Sequence, residues 1–295
     1  MNRKYFLKQI GVLSAGAFML PTIGKSVQAS GPFFPLRNNA GYFSGRGGTI
    51  GWFAKGDALV AIDSQFENSA TEFIEGIRDY GNGLERVLFN THHHGDHVGG
   101  NRVFKKQNFA IVAHENVPEL QNKAGNPDSV TAEVTFKSEH SVEVENETIR
   151  ARYYGNAHTN GDAVIWFENA NVAHMGDLVF NRVYPFIDRD GDASIKGWIS
   201  LLETVVEQAD NETIFIFGHS NPDFSVTGTA RDLLYQRDYL SQLLEHTQSG
   251  ITAGRSADEI AAISEFEAFS NHISFGERLS LRTNILTAYA ELTDS

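Results

Sequence analysis

The 295-residue sequence predicts a mixed α/β (α+β) fold in which two β-sheets are covered on their outer sides by helices. Three observations lead there. Short apolar runs alternate with longer segments of helical spacing along the whole chain. Some runs are almost continuously apolar, as strands buried on both faces are. Gly- and Asn-rich turns separate several of them, which favours hairpins over a pure β-α-β alternation.

Residues 49–53, Ala58–Ile62 and 87–90 read as strands, the latter two buried. Residues 68–79 place Phe73 and Ile77 at helical spacing behind a cap region at Ser69 and Thr71. Further strands are expected at 110–113, 141–144, 149–154 and Ala163–Phe167, and 171–174 pairs with the last of these across the turn Glu168-Asn169-Ala170. A helix over 194–208 and a buried strand over 213–217 follow. From about 228 the pattern is helical to residue 295, with Leu233, Leu234, Leu240, Leu243 and Leu244 on one face, and reads as an extension packed against one sheet. No repeat or linker interrupts the chain, so residues 30–295 read as one domain.

At 41% hydrophobic and 21% charged, the composition is that of a soluble globular protein. The absence of cysteine excludes disulfide frameworks, thiolate zinc fingers, iron–sulfur clusters and cysteine nucleophiles. The net charge of −13 repels phosphate backbones and argues against nucleic-acid binding. Residues 1–29 read as a signal peptide: Arg3, Lys4 and Lys8 precede an uncharged run, 9–24, whose apolar heart is too short to span a bilayer permanently, and small residues end at Ala29. The segment 2–8 resembles a twin-arginine export signal with Lys4 in place of the second arginine, so either export route remains open. An exported, periplasmic protein without stable membrane insertion is expected. Removing the leader leaves 20 basic against 37 acidic side chains, a net −17.

Eleven histidines carry most of the functional information. The strand 87–90 runs into THHHGDHVGGN, residues 91–101, and offers His92, His94, Asp96 and His97. Period-two alternation puts His92 and His94 on one side, where two imidazoles can grip one cation, and turns His93 away as a structural residue. Asp96 and His97 lie past Gly95, displaced enough to serve a second cation. Imidazole and carboxylate donors without thiolate suit zinc, with iron or manganese as lesser options.

With these residues in view, the chain resembles the metallo-β-lactamase superfamily over most of residues 40–245. The strand Ala58–Ile62 ending in Asp63 resembles the family's first motif, and His92, His94, Asp96 and His97 its second. His158 in GNAHTNGD, Asp177 in HMGDL and His219 in FGHS match the third to fifth, in order. The resemblance implies a four-layer αββα sandwich of two mixed sheets flanked by helices. It also implies two zinc ions, one held by His92, His94 and His158 and the other by Asp96, His97 and His219, with Asp177 bridging. Asp96 would be a ligand and proton shuttle, and Asp63 either a residue supporting the ligands or a turn former. Two cations ~3.5–4 Å apart can ionise a shared water, so the implied nucleophile is a metal-bound hydroxide. No G-x-S-x-G elbow offers a covalent alternative.

The expected activity is hydrolysis of an ester, lactone or amide (lactam) bond of a small molecule. The β-lactamase class with a cysteine on its second zinc is excluded, and Asp177 stands where the other two-zinc class carries serine, so the ligand set resembles glyoxalase II-like and lactonase-like members more. A β-lactamase proper, a glyoxalase II-like thioesterase and a non-catalytic periplasmic metal-binding protein remain alternatives. Tyr184 and Phe186, shortly after Asp177, are expected to line the substrate pocket or to pack as a connector. His114, His140, His246 and His272 read as non-ligating, His174 as at most a supporting residue, and Arg231, Arg237 and Arg278 as contacts for an acidic substrate or, by preference, as solvated surface. Oligomeric state is left open.

Overall fold

Seven strands form the first sheet of the computed structural model, which describes residues 32–81, 83–125 and 129–294. The expected leader lies outside these residues. The strands are β1 (Phe33–Arg37), β2 (Ala40–Phe43), β3 (Ile50–Lys55), β4 (Ala58–Ile62), β5 (Glu85–Phe89), β6 (Ala110–His114) and β7 (Val134–Phe136), side by side in that order. The first four pair antiparallel, whereas β4 to β7 run parallel. Helices α1 (Glu67–Gly76), α2 (Gly95–Val98), α3 (Asn101–Lys106) and α4 (Val117–Lys123) lie in the connections between these strands.

The second sheet contains β8 (Glu139–Val144), β9 (Glu147–Tyr153), β10 (Ala163–Phe167), β11 (Val172–His174), β13 (Ile214–Ile216) and β15 (Thr227–Gly228), in the order β15-β13-β11-β10-β9-β8. A small parallel pair, β12 (Phe180–Asn181) with β14 (His219–Ser220), forms a separate two-stranded sheet. Helices α5 (Ile195–Gln208), α6 (Ala230–Thr252), α7 (Ala257–Ile260) and α8 (Leu281–Thr293) complete the chain.

Side-chain alternation builds the four layers. Along β4, Val60 and Ile62 join Phe89 and Val112 against Ile149, Ile165, Phe167 and Val172 of the other sheet, forming the central layer. Leu59 and Ala61 point the other way, onto Phe73, Ile74 and Phe104 of α1 and α3. In the second sheet Val164, Ala173 and Phe215 face outward onto Trp198, Leu202, Leu240 and Ile285 of α5, α6 and α8. Strands buried on both faces have no polar side, hence the continuous apolar runs. The αββα sandwich expected from the resemblance is therefore the observed fold.

Some local expectations change. The hairpin β1–β2 was not read from the sequence; its signal is Asn38-Asn39, both at positive φ, in the turn, with Pro35 on an edge strand. The expected cap at Ser69 and Thr71 is absent: α1 begins at Glu67 without a side-chain cap, and Ser69 Oγ instead accepts from the Arg46 amide. Ser194 does cap α5, and Thr229 with Asp232 forms a capping box on α6.

His272 is packed among Tyr184, Tyr235, Tyr239 and Phe269, with Nε2 buried and unpaired. Burial, aided by Arg182, pushes its imidazole down to about 4 against the Phe269 carbonyl. The unfolded chain protonates first, near the ordinary value of about 6.5. The stabilising contribution is therefore complete above pH 6.5, is lost as pH falls toward 4, and changes no further below it. The loss amounts to about 3 kcal/mol. Urea unfolding of the metal-free protein at pH 7 and 4.5 should show a smaller acid loss for His272→Phe; equal losses in both proteins would refute the assignment.

Candidate metal centre

The chemistry-bearing loops gather at one edge because of strand direction. Parallel β4 and β5 deliver Asp63 and His92 from their C-terminal ends, and parallel β11 and β13 deliver Asp177 and His219 from theirs. His158 comes from the β9–β10 connection at the same edge. Open sheets of this kind leave their ligand crevice outside the carboxyl ends of the strands.

Three groups of side chains form there, one of them His93 with His94 and Asp188. His92, His94, His158 and Asp177 bring ligand atoms within 4.8 Å of one another, and so do Asp96, His97 and His219. Asp177 faces both: Oδ2 is 3.7 Å from His92 Nε2 and 3.9 Å from His158 Nε2, while Oδ1 is 3.0 Å from His97 Nε2 and 3.4 Å from His219 Nε2. Asp96 Oδ2 lies 3.1 Å from His219 Nε2. The seven residues singled out in the sequence thus converge.

Four of the five imidazoles are tied at the nitrogen remote from Asp177. His97 Nδ1 donates to Asp63 Oδ2 at 2.7 Å, His94 Nε2 to Asp188 Oδ2 at 2.9 Å, and His158 Nδ1 to Asp162 Oδ1 at 3.2 Å. His92 Nδ1 donates to Thr91 Oγ1 at 3.0 Å, and that hydroxyl donates to Asp63 Oδ2 at 2.8 Å. The opposite nitrogens all face the centre. His97 Nε2, His158 Nε2 and Asp177 Oδ1 are buried without an acceptable hydrogen bond. Orphaned buried acceptors are costly unless something pairs with them, and a divalent cation fits this donor set. Close packing shapes the floor: a Cβ on Gly218 would stand 2.1 Å from Asp177 Oδ1, and one on Gly48 2.2 Å from the His97 ring.

Electrostatics divides the set. Burial, together with the neighbouring imidazoles, pushes His92 well below its ordinary value, and burial also lowers His94 despite Asp188. Burial opposes the charge on His97, yet Asp177, Asp96 and Asp63 hold it well above the usual range. The same competition, won by Asp177 and Asp96, raises His219 to about 9. Burial would raise both carboxylates, but His97 and His219 outweigh it, bringing Asp96 to about 2 and Asp177 well below its ordinary value. Without metal, the carboxylates of the nest thus favour protons on His97 and His219.

Asp63 combines both roles weighed for it. At φ 63° it turns the chain out of β4, and its carboxylate holds the Thr91 amide, the Thr91 hydroxyl and His97. His93 turns away from the nest, its Nε2 3.3 Å from Asp188 Oδ2. His174 bonds the Thr49 carbonyl and the Gly176 amide. Asp162 and Asp188 were not singled out in the sequence. Asp162 stands four residues after His158, a spacing that signals it; nothing in the sequence signals Asp188.

Beyond the nest opens a cleft of about 430 Å³ lined by Asp96, Asp177, His219, Phe180, Phe186 and Arg278, among others. Phe186 lies on it. Tyr184 does not: it is 7% exposed, stacked on His272 and tilted against Tyr239 in the core. The segment is irregular, with Arg182 at φ 58° and the Pro185 carbonyl held by Asn284, so two-residue spacing does not keep both rings on one side. Arg237 is ion-paired on the surface with Asp238 and Glu203, whereas Arg278 is exposed at the mouth of the cleft.

The sequence profile of the metallo-β-lactamase superfamily matches residues 48–219, from the glycine beneath His97 to the last imidazole of the nest. The chain belongs to the metallo-β-lactamase superfamily. As a member of this superfamily it is a hydrolase carrying His/Asp groups able to hold metal. It is 25% identical over 189 residues to the metallo-β-lactamase type 2 of Bacillus cereus, covering 62% of this chain and 72% of that one. The protein of the same name from Elizabethkingia meningoseptica is 24% identical over 166 residues, 55% of this chain and 65% of that one. Among solved structures, the stereoselective inverting sec-alkylsulfatase Pisa1 from Pseudomonas sp. superposes with a TM-score of 0.70 at 14% identity, over 89% of this chain and 50% of that one. A metallo-β-lactamase from Pontibacter korlensis gives 0.58 at 17% identity, over 71% and 98%. This chain therefore spans about half the length of the alkylsulfatase, and the structural likenesses bear on the fold alone.

Proposed function

We propose that this superfamily member is a zinc-dependent hydrolase that cleaves an ester, lactone or amide (lactam) bond of a small molecule at a two-cation centre. One observation carries the reading: Asp177 turns one carboxylate oxygen to each of two ligand groups whose free imidazole nitrogens all face it. His92 Nε2, His94 Nδ1, His158 Nε2 and Asp177 Oδ2 would hold one ion; Asp96 Oδ2, His97 Nε2, His219 Nε2 and Asp177 Oδ1 the other. When bound, the cations supply an ionised water and an electrophilic pull on the substrate carbonyl.

The chain's own residues do the rest. Asp63, Thr91, Asp162 and Asp188 lock the tautomers of His92, His94, His97 and His158 so that the lone pair points inward. The protons on His97 and His219 must leave for ions to bind, so uptake weakens as pH falls. Asp96, half-exposed at the cleft edge, is the carboxylate placed to pass a proton toward a leaving group. The reading includes export after removal of residues 1–29, and among the described residues no helix is long and apolar enough to cross a membrane.

Metal analysis of the processed protein, with a panel of chromogenic esters, lactones, a sulfate ester and nitrocefin assayed with and without chelator, tests the proposal. Chelator-sensitive turnover with two equivalents of zinc is expected; chelator-insensitive turnover would contradict it. Metal binding without turnover of any substrate would favour a non-catalytic metal-binding protein. As a sharper check, Asp188→Ala removes the anchor of His94 and should weaken zinc affinity 10–100-fold in a competition titration. Unchanged affinity would show that the carboxylate does not orient the imidazole.

A further inference from the structure

The C-terminal segment 274–280 reaches back over the cleft. Phe275, Arg278 and Leu279 line it together with Phe180, Phe186, His94, Asp96, Asp177 and His219. This segment lies outside residues 48–219, the part matched by the superfamily profile. A neighbouring cavity of about 520 Å³ shares His94, Phe186 and Arg278 with the cleft and adds Lys123. Phe186 joins the two features: its ring centroid is 5.3 Å from that of His94 and 5.3 Å from the Arg278 guanidinium carbon. One aromatic ring therefore separates the guanidinium from the nest.

Arg278 is exposed and forms no ion pair with any described residue, although acidic side chains outnumber basic ones 37 to 24. Arg282, four residues further along, is paired with Asp258 at 2.6 Å, and Arg189 with Asp294 at 3.0 Å. The surrounding wall is mainly apolar: Phe180, Phe186, Phe275 and Leu279, with Phe275 51% exposed. An unpaired guanidinium above an apolar wall recognises a molecule with an anionic end and an apolar body.

We propose that Arg278 anchors the anionic group of a small amphiphilic substrate, placing its scissile bond against the Asp96, Asp177 and His219 rim. This rests on the hydrolase reading above, which it extends to a substrate class. A short chain or one ring separates anion from scissile carbon, since one ring separates Arg278 from His94.

The test uses zinc-loaded wild type, Arg278→Ala and Arg278→Lys. Calorimetric titration with hexane-1-sulfonate, a poor metal ligand, is compared with hexan-1-ol, and hydrolysis of mono-4-nitrophenyl glutarate with that of 4-nitrophenyl butyrate. Wild type should bind the sulfonate at least about tenfold tighter than the alcohol; Arg278→Ala should erase that preference and Arg278→Lys keep part of it. For the anionic ester, kcat/KM should fall about tenfold or more in Arg278→Ala, mainly through KM, while the neutral ester changes less than about twofold. Equal sulfonate binding by wild type and Arg278→Ala, or equal losses on both esters, overturns the proposal. If wild type cleaves neither ester, the sulfonate titration alone decides whether Arg278 is an anion anchor, and the wider substrate panel decides the hydrolase reading.

Discussion

Asp177→Asn is expected to lower hydrolysis by roughly a thousandfold or more, about 4 kcal/mol of barrier. The side chain keeps its size, and the backbone around Gly176 and Gly218 stays in place, so the fold should persist. What disappears is the negative charge and one of two acceptor oxygens, each of which faces a different ligand group. The His97 and His219 imidazoliums would lose the carboxylate that holds their protons, and two cations would lose the charge that offsets their repulsion. Zinc stoichiometry should drop below two per chain in elemental analysis, with an unchanged far-ultraviolet circular dichroism spectrum. Two equivalents of zinc together with activity within tenfold of wild type would remove Asp177 from the bridging position.

The second large effect is expected at Asp63, which never touches the substrate cleft. Its fully buried carboxylate accepts from the Thr91 amide at 2.7 Å, the Thr91 hydroxyl at 2.8 Å and His97 Nδ1 at 2.7 Å. Asp63→Ala leaves buried donors unpaired, at about 1–3 kcal/mol each, and puts alanine in a left-handed backbone conformation at φ 63°. A destabilisation of about 3–5 kcal/mol is expected in urea unfolding of the metal-free protein. Zinc affinity should fall 10–100-fold as well, because His97 and, through Thr91, His92 lose the bond that selects their tautomer. Asp63→Asn keeps the turn and one acceptor, so it should lose affinity with a smaller loss of stability. Wild-type stability in the alanine variant would show that Asp63 is only a turn former.

Legibility in the sequence followed the range of the physics involved. Apolar runs reveal burial on both faces of β4, β10 and β13, because each strand's own alternation decides it. The side-by-side placement of His92 and His94, and the outward turn of His93, also follow from a two-residue period within one loop. The ends of helix α1 were less legible: Ser69, which looks like a cap, bonds the Arg46 amide across a gap of 23 residues.

By itself, the sequence determined a two-sheet fold with outer helices and, through local spacing, the candidate ligands His92, His94, Asp96 and His97; His158, Asp177 and His219 were added by the resemblance to the superfamily's motifs. Tertiary structure alone decided that Asp188 holds His94 across 94 positions, that Tyr184 packs in the core while Phe186 faces the cleft, and that Arg278 stands above the nest. Those contacts depend on how two sheets and a C-terminal segment meet in space, which no local spacing encodes.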